Sequence, residues 1–254
     1  MSVFLASDTH GAHRKLQASQ NDFLLLLGDY PDLLDYFDLT QGILARLFPQ
    51  DVIVDVLNHI NNKDRVKARE SMRKAAGSFP DLFNLVKTHV QQCYTDLFAS
   101  LPCKSKLIFG NTDFPELLQK YASPDTEIIG QIQVFATDGL RIAMISGVEP
   151  GPHSFGMPGE VDSKIYASWV ADLPPVDILC SHGPPAVIDL TYDVSAERDE
   201  GGSEALLEYI HKFRPRYHFY GHIHQPKKRQ AVIGSTVCIN LACFRDRPWM
   251  VRMI

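Results

Sequence analysis

Short, continuous apolar runs recur along the chain, each stopped by a polar residue. They are Val3-Phe4-Leu5-Ala6, Phe23-Leu24-Leu25-Leu26-Leu27, Lys106-Leu107-Ile108-Phe109, Asp177-Ile178-Leu179-Cys180 and His218-Phe219-Tyr220. Runs this short that do not alternate read as strands buried on both faces, as in parallel sheets covered by helices. A second pattern has helical spacing. Val52, Val56 and Ile60 lie at i, i+4 and i+8, and Leu82, Leu85, Val86, Val90, Tyr94, Leu97 and Phe98 form a longer stripe of that kind. Pro49 and Pro80 punctuate the stretch. Residues 31–103 therefore predict a helical insertion between the second and third strands, serving as plain packing, as a cap over a site or as a dimer surface. Ile132–Ala136 and Arg141–Ile145 read as a hairpin around Thr137-Asp138-Gly139. The glycine- and proline-rich stretch 147–156 reads as a loop. A helix capped by Ser203 is expected through Leu206, Leu207 and Ile210, ending at Pro215. The class is α/β, organised as one domain over residues 1–254.

The residues that stop the apolar runs carry the chemistry. Asp8-Thr9-His10, Gly28-Asp29, Gly110-Asn111-Thr112-Asp113, Ser181-His182-Gly183 and Gly221-His222-Ile223-His224 place metal-binding side chains just past the strands. Ligands of open α/β sheets bind outside the carboxyl ends of the strands, so residues far apart in sequence converge there. Asp8, His10, Asp29, Asn111, His182, His222 and His224 are too many for one catalytic zinc, which takes about three protein ligands. They suit two divalent cations roughly 3.5–4 Å apart, an arrangement used for displacement at phosphorus. Glycines 28, 110 and 221 each precede a ligand, where the backbone must turn sharply or approach closely. Gly183-Pro184-Pro185 fixes the chain's exit after His182.

In the order and spacing of these segments the chain resembles the calcineurin-like metallophosphoesterase superfamily, from residue 8 to residue 224. The resemblance implies a four-layer α/β/β/α sandwich with a helical insertion. It implies that Asp8, His10, Asp29 and His224 hold a first metal, and that a second is held by Asp29, Asn111, His182 and His222, with Asp29 shared. It also implies a metal-bridging hydroxide as nucleophile. Two departures bear on substrate. Thr112 stands where many members have a histidine that assists the leaving group, and Gly28-Asp29-Tyr30-Pro31-Asp32 departs from the usual second motif. A hydroxyl cannot protonate a leaving group at neutral pH, so phosphodiesters or activated esters are expected over simple monoesters. His153 in the 147–156 loop is the candidate replacement acid, against the plainer reading of a surface loop histidine, and His13 is a weaker one. Asp113 is expected to orient the histidines from behind. Histidine with carboxylate and amide leaves Mn, Fe, Zn, Ni and Co open. The alternative function is a protein-interaction module on the same fold, weakly catalytic or inactive.

Composition adds limits. A net charge of −5 over 254 residues argues against a dominant nucleic-acid or membrane surface, and with it against a nuclease. The expected partner is a small phosphoester, with a homo-oligomer contact through the insertion as a further expectation. Lys227-Lys228-Arg229 reads as a solvated turn that could also help hold an anion. No apolar stretch approaches the ~20 residues of a membrane span, and no secretory leader is read before the first strand. Five cysteines without a C-x-x-C pair read as buried thiols of a reducing compartment, so a cytoplasmic setting is expected.

Overall fold

The apolar runs become strands of two different sheets. The computed structural model describes residues 1–34, 38–62, 64–77, 82–154 and 156–253. Pro80, read as a helix punctuator, and Phe155 of the 147–156 loop lie outside these, as does the side chain of Leu82. In the first sheet β1 (Val3–Ala6), β2 (Phe23–Leu26), β3 (Ser105–Leu107) and β4 (Thr126–Ile128) run parallel. The second sheet begins with β5 (Ile132–Thr137) and β6 (Leu140–Ile145), paired antiparallel, and continues with β7 (Ile178–Ser181). Two further strands, β8 (Tyr192–Asp193) and β9 (Arg198–Asp199), form a small separate ribbon. β10 (Tyr217–Tyr220), β11 (Gln230–Ile233) and β12 (Thr236–Asn240) complete the second sheet, in the order β11-β12-β10-β7-β6-β5. β13 (Val251–Arg252) adds antiparallel to β1 at the edge of the first.

Side-chain parity explains why these strands read as unbroken apolar runs. Leu25 and Leu27 face one way and join Val3, Leu5, Ile142, Met144, Ile178 and Phe219 in a core between the two sheets. Leu24 and Leu26 face the other way, onto helices. Both faces are dry, and each fully buried leucine contributes about 1.5–3 kcal/mol. The helices between β2 and β3 are α1 (Ile43–Leu47), α2 (Gln50–Asn61), α3 (Arg65–Ala76) and α4 (Leu82–Ser100), followed by α5 (Pro115–Tyr121). Val90, Tyr94 and Leu97 of α4 cover the first sheet together with Leu117 and Leu118 of α5. On the other side lie α6 (Ser163–Ala171) and, beyond the one-turn α7 (Ile188–Thr191), α8 (Glu204–Phe213). Tyr166, Val170, Leu206 and Ile210 from α6 and α8 pack on Ala143, Ile145, Leu179 and Tyr220. The result is the α/β/β/α layering.

The helical region divides in two. α4 belongs to the sheet layer, whereas Ile53, Val56, Leu57 and Ile60 of α2 turn onto Phe48 and Ala68 in a small core of their own. The expected hairpin is β5–β6. Asp138 (φ 47°) and Gly139 (φ 79°) both take left-handed backbone, the type I′ turn that matches strand twist. Ser203 caps α8 by accepting from the Leu206 amide. Among the described residues no helix is long and apolar enough to cross a membrane, and all five cysteines are free.

Candidate metal centre

Asp8, Asp29 and Asn111 leave the ends of β1, β2 and β3, and His182 and His222 leave β7 and β10. The hydrogen bonds Asp8 N to Gly28 O, at 3.0 Å, and Gly221 N to His182 O, at 2.9 Å, tie neighbouring strand ends together. Four of the seven expected ligands carry left-handed backbone: Asp8 (φ 56°), His10 (38°), Asp29 (58°) and His222 (66°). Non-glycine residues avoid this region at a cost of order 1–3 kcal/mol, and such strain concentrates where side-chain direction matters more than backbone comfort. Two glycines make room. A Cβ on Gly28 would enter the Gly110 backbone, and one on Gly221 would collide with Ser7 Oγ and Asp8 Oδ2.

All seven expected ligands come together. Ligand atoms of Asp8, His10 and Asp29 lie within 4.8 Å of one another, as do those of Asp29, His182 and His222, so Asp29 belongs to both groups. His224 Nε2 lies 3.5 Å from Asp8 Oδ1 and 3.1 Å from His10 Nε2. Asn111 Oδ1 lies 3.1 Å from His182 Nε2. Asp8, His10, Asp29 and His182 form a buried floor, while Asn111, His222 and His224 are half-buried at the rim.

Two histidine tautomers are fixed by chemistry. His10 Nδ1 lies 3.0 Å from the Pro31 carbonyl and His182 Nδ1 lies 2.7 Å from the Leu27 carbonyl. A carbonyl oxygen only accepts, so each Nδ1 carries the hydrogen and each neutral ring turns a bare Nε2 to the centre. The Nε2 of His182 then faces the oxygens of Asn111 and of Asp29, at 3.1 and 3.5 Å, lone pair against lone pair. A proton or a metal ion between them relieves this arrangement, and imidazole, carboxylate and amide suit a borderline divalent metal. Without metal, protons do that duty. Burial opposes a charge on His182, but Asp29 overcomes it and raises the imidazole to about 9. Burial likewise disfavours the Asp29 carboxylate, and the surrounding histidines, His182 foremost, hold it well below the ordinary range. His222, by contrast, is pushed down to about 4 by burial and by His182.

Asp113 corrects an expectation. Among the described residues it bonds to no histidine. Its carboxylate instead accepts from the amides of Gly110, Asp29 and Tyr30, at 2.8, 2.8 and 3.2 Å, and from the Tyr94 hydroxyl at 3.1 Å. It therefore clamps two ligand-bearing loops to α4 through their backbones. Burial and the nearby Asp29 charge raise it to about 7, against the pull of those amides.

His13 and His153 fall in none of the candidate metal-ligand groups among the described residues. His153 is buried rather than a surface residue, with Nδ1 3.3 Å from the Ile60 carbonyl at the end of α2. His13 is buried beside α4, where loss of solvent lowers it to about 4. Lys227 and Lys228 pair with Asp189 at 2.9 and 2.6 Å, as a solvated turn does. Thr112 is at the centre: its amide donates to Asp29 Oδ1 at 2.9 Å, and its hydroxyl is buried with no partner among the described residues.

Three supporting residues escaped the sequence reading. Asn240, at the end of β12, donates to the carbonyls of Gly221 and Ile223, holding the His222–His224 turn. Cys243 places its thiol beside His10 and His224 and donates to the Asp8 carbonyl, and burial raises its pKa, so the thiol stays protonated. Arg245 pairs with Asp32 at 3.1 Å, and its positive charge disfavours protonation of His10 and His224. Asn240 obeyed the rule of a polar residue after an apolar run, in Val237-Cys238-Ile239; Cys243 and Arg245 sit on a turn that no periodicity marks.

Comparison with known proteins agrees with this geometry. One crystal structure superposes with a TM-score of 0.60 at 14% identity, over 96% of this chain and 91% of that one. The crystal structure of TT1561 of Thermus thermophilus gives a TM-score of 0.50 at 11% identity, over 99% of this chain and 97% of that one. At these identities the likeness concerns the fold. No curated protein sequence matches the chain. The calcineurin-like phosphoesterase family model matches residues 1–226, and the chain belongs to that family of metal-dependent phosphoester hydrolases.

Proposed function

We propose that the protein hydrolyses phosphodiesters with two divalent cations, one held by Asp8, His10, Asp29 and His224 and the other by Asp29, Asn111, His182 and His222. The observation that carries this reading is the convergence of ligand atoms at His182, whose Nδ1 is taken by Leu27 while Nε2 faces Asp29 and Asn111. Two such cations, when bound, supply Lewis acidity towards phosphoryl oxygens and lower the pKa of water to about 7.

The chain's own residues do the rest. The Leu27 and Pro31 carbonyls keep His182 and His10 in the metal-binding tautomer, and the Thr112 amide holds the Asp29 carboxylate. Asn111 contributes a neutral oxygen, which leaves its cation more electrophilic than a carboxylate would. Asn111, His222 and His224 form the half-buried rim through which substrate reaches the floor. No imidazole stands at position 112 to protonate an alkoxide, which favours diesters and good leaving groups.

The test is hydrolysis of bis-p-nitrophenyl phosphate beside p-nitrophenyl phosphate, with protein stripped of metal and reloaded with manganese. The proposal expects faster diester turnover, abolished in Asp29→Ala. Absence of turnover on both esters across several metals, with metal bound, would replace it by an interaction module on this fold.

A further inference from the structure

Next to His222 lies a cavity of about 250 Å³, walled by the loop after β6, the turn after His182 and the start of α8. Three of its polar groups define its chemistry. Glu149 is half-buried and accepts from Ser203 Oγ at 2.6 Å, and among the described residues no cationic side chain pairs with it. Tyr166 is 1% exposed, and its buried hydroxyl has no hydrogen-bond partner among the described residues. Glu200 also lines the cavity, but its Oε1 is already taken by Arg198 Nε at 2.6 Å.

The cavity thus holds one carboxylate short of counter-charge and one orphaned hydroxyl, with Tyr166 and Leu206 supplying apolar wall. A buried polar group without a partner costs about 1–3 kcal/mol, a cost a ligand can remove. Burial raises the Glu149 carboxyl above its ordinary range, and Glu204 adds to this, so an incoming cation would be welcome there and an anion repelled. The Ser203 hydroxyl spends its one hydrogen on Glu149 and accepts from the Leu206 amide at 3.2 Å.

We propose that this cavity receives an ester arm of the substrate and selects one that ends in an ammonium on a short alkyl chain, with Glu149 as its counter-ion and the Tyr166 oxygen as its second acceptor. The assignment rests on the phosphoesterase reading, because His222 joins the cavity to the centre that would take the phosphoryl group.

Titration calorimetry on the metal-loaded protein with 2-aminoethylphosphonate and ethylphosphonate tests it. The two probes differ by the ammonium and neither is an ester. The aminoethyl compound is expected to bind at least tenfold tighter. Glu149→Gln should erase that ratio and Tyr166→Phe should narrow it. Equal affinities in the native chain overturn the assignment without recourse to any variant, as does a preference that survives Glu149→Gln. Turnover of p-nitrophenyl 2-aminoethyl phosphate and p-nitrophenyl ethyl phosphate separates the two readings. An ammonium preference in binding with no turnover of either ester sinks the phosphoesterase reading alone, whereas turnover indifferent to the arm, with equal binding, sinks the cavity assignment alone.

Discussion

His10 and His224 face each other with their Nε2 atoms 3.1 Å apart. His10 Nδ1 is committed to the Pro31 carbonyl, so its Nε2 is a bare acceptor, and it meets a proton on His224 that Asp8 stabilises. Metal-free, this contact is a hydrogen bond sharing one proton. His182 is the parallel case, raised to about 9 by Asp29 despite burial. A cation bound to His182 Nε2 at neutral pH must expel a proton.

Metal binding at neutral pH is therefore expected to release protons, and affinity should climb as pH rises through about 9, above which His182 is neutral without metal. Calorimetry of manganese binding in buffers of differing ionisation enthalpy reads the number released. Stoichiometry should approach two ions per chain. Binding with no proton release at pH 7 would contradict the proton-filled centre. Chelation should lower the melting temperature, since a ligand at a thousand times its Kd stabilises by about 4 kcal/mol.

Asp113 offers a test of support without ligation. Asp113→Asn replaces an acceptor of four bonds by a group that turns donors against donors. A loss of about 2–4 kcal/mol in urea unfolding is expected, with metal affinity weakened by about 10–100-fold. Tyr94→Phe should cost less, about 1 kcal/mol, because it strands only one bond to Asp113 and the Phe114 amide.

His218, which is not among the expected metal ligands, sets an acid limit on stability. Ser181 Oγ donates to the Gly183 carbonyl, so His218 must donate from Nε2 to Ser181, leaving Nδ1 bare and, among the described residues, unpartnered. Burial keeps the ring neutral down to about 3, whereas in the unfolded chain it protonates near 6.5. The unfolded state thus binds the extra proton between those values. The contribution is complete above about pH 6.5 and is lost as pH falls towards 3, by up to about 1.4 kcal/mol per pH unit. The stability difference between native protein and His218→Gln should accordingly shrink from pH 7 to pH 4. A difference that does not change with pH would show that His218 takes up its proton in the fold as readily as in the unfolded chain.

The sequence was most legible where one rule governed both fold and site. Asp8, Asp29, Asn111, His182 and His222 each follow a strand whose two faces are dry, so the polar residue marks both the strand's end and the centre. Side-chain direction was not legible. Asp113 follows the same strand as Asn111, and nothing in its spacing says that it turns to backbone amides and Tyr94 instead of to a histidine. His153 shows the same limit: a glycine-rich loop predicted exposure, but packing against the end of α2 buried it. β11, α6 and β13 were missed because they are short or half-exposed, with Val232 and Ile165 open to solvent, and so lack the continuous apolar signal.

Thr112 is the position where chemistry departs most from its expected form. Its amide must stay, because it holds Asp29, but its hydroxyl is buried without a partner and is free to be replaced. Thr112→His keeps the amide and adds an imidazole whose ordinary pKa of about 6.5 suits proton donation at neutral pH. General acid catalysis contributes about 10²–10⁴ where protonation of the leaving group limits the rate. The variant is therefore expected to raise turnover of alkyl phosphate esters by at least about tenfold while changing p-nitrophenyl esters little, since nitrophenolate departs without a proton. The measurement is the dependence of kcat/KM on leaving-group pKa, which should be steep in the native protein and flatter in Thr112→His. Equal slopes would mean that position 112 takes no part in leaving-group departure, and that the diester preference has another origin.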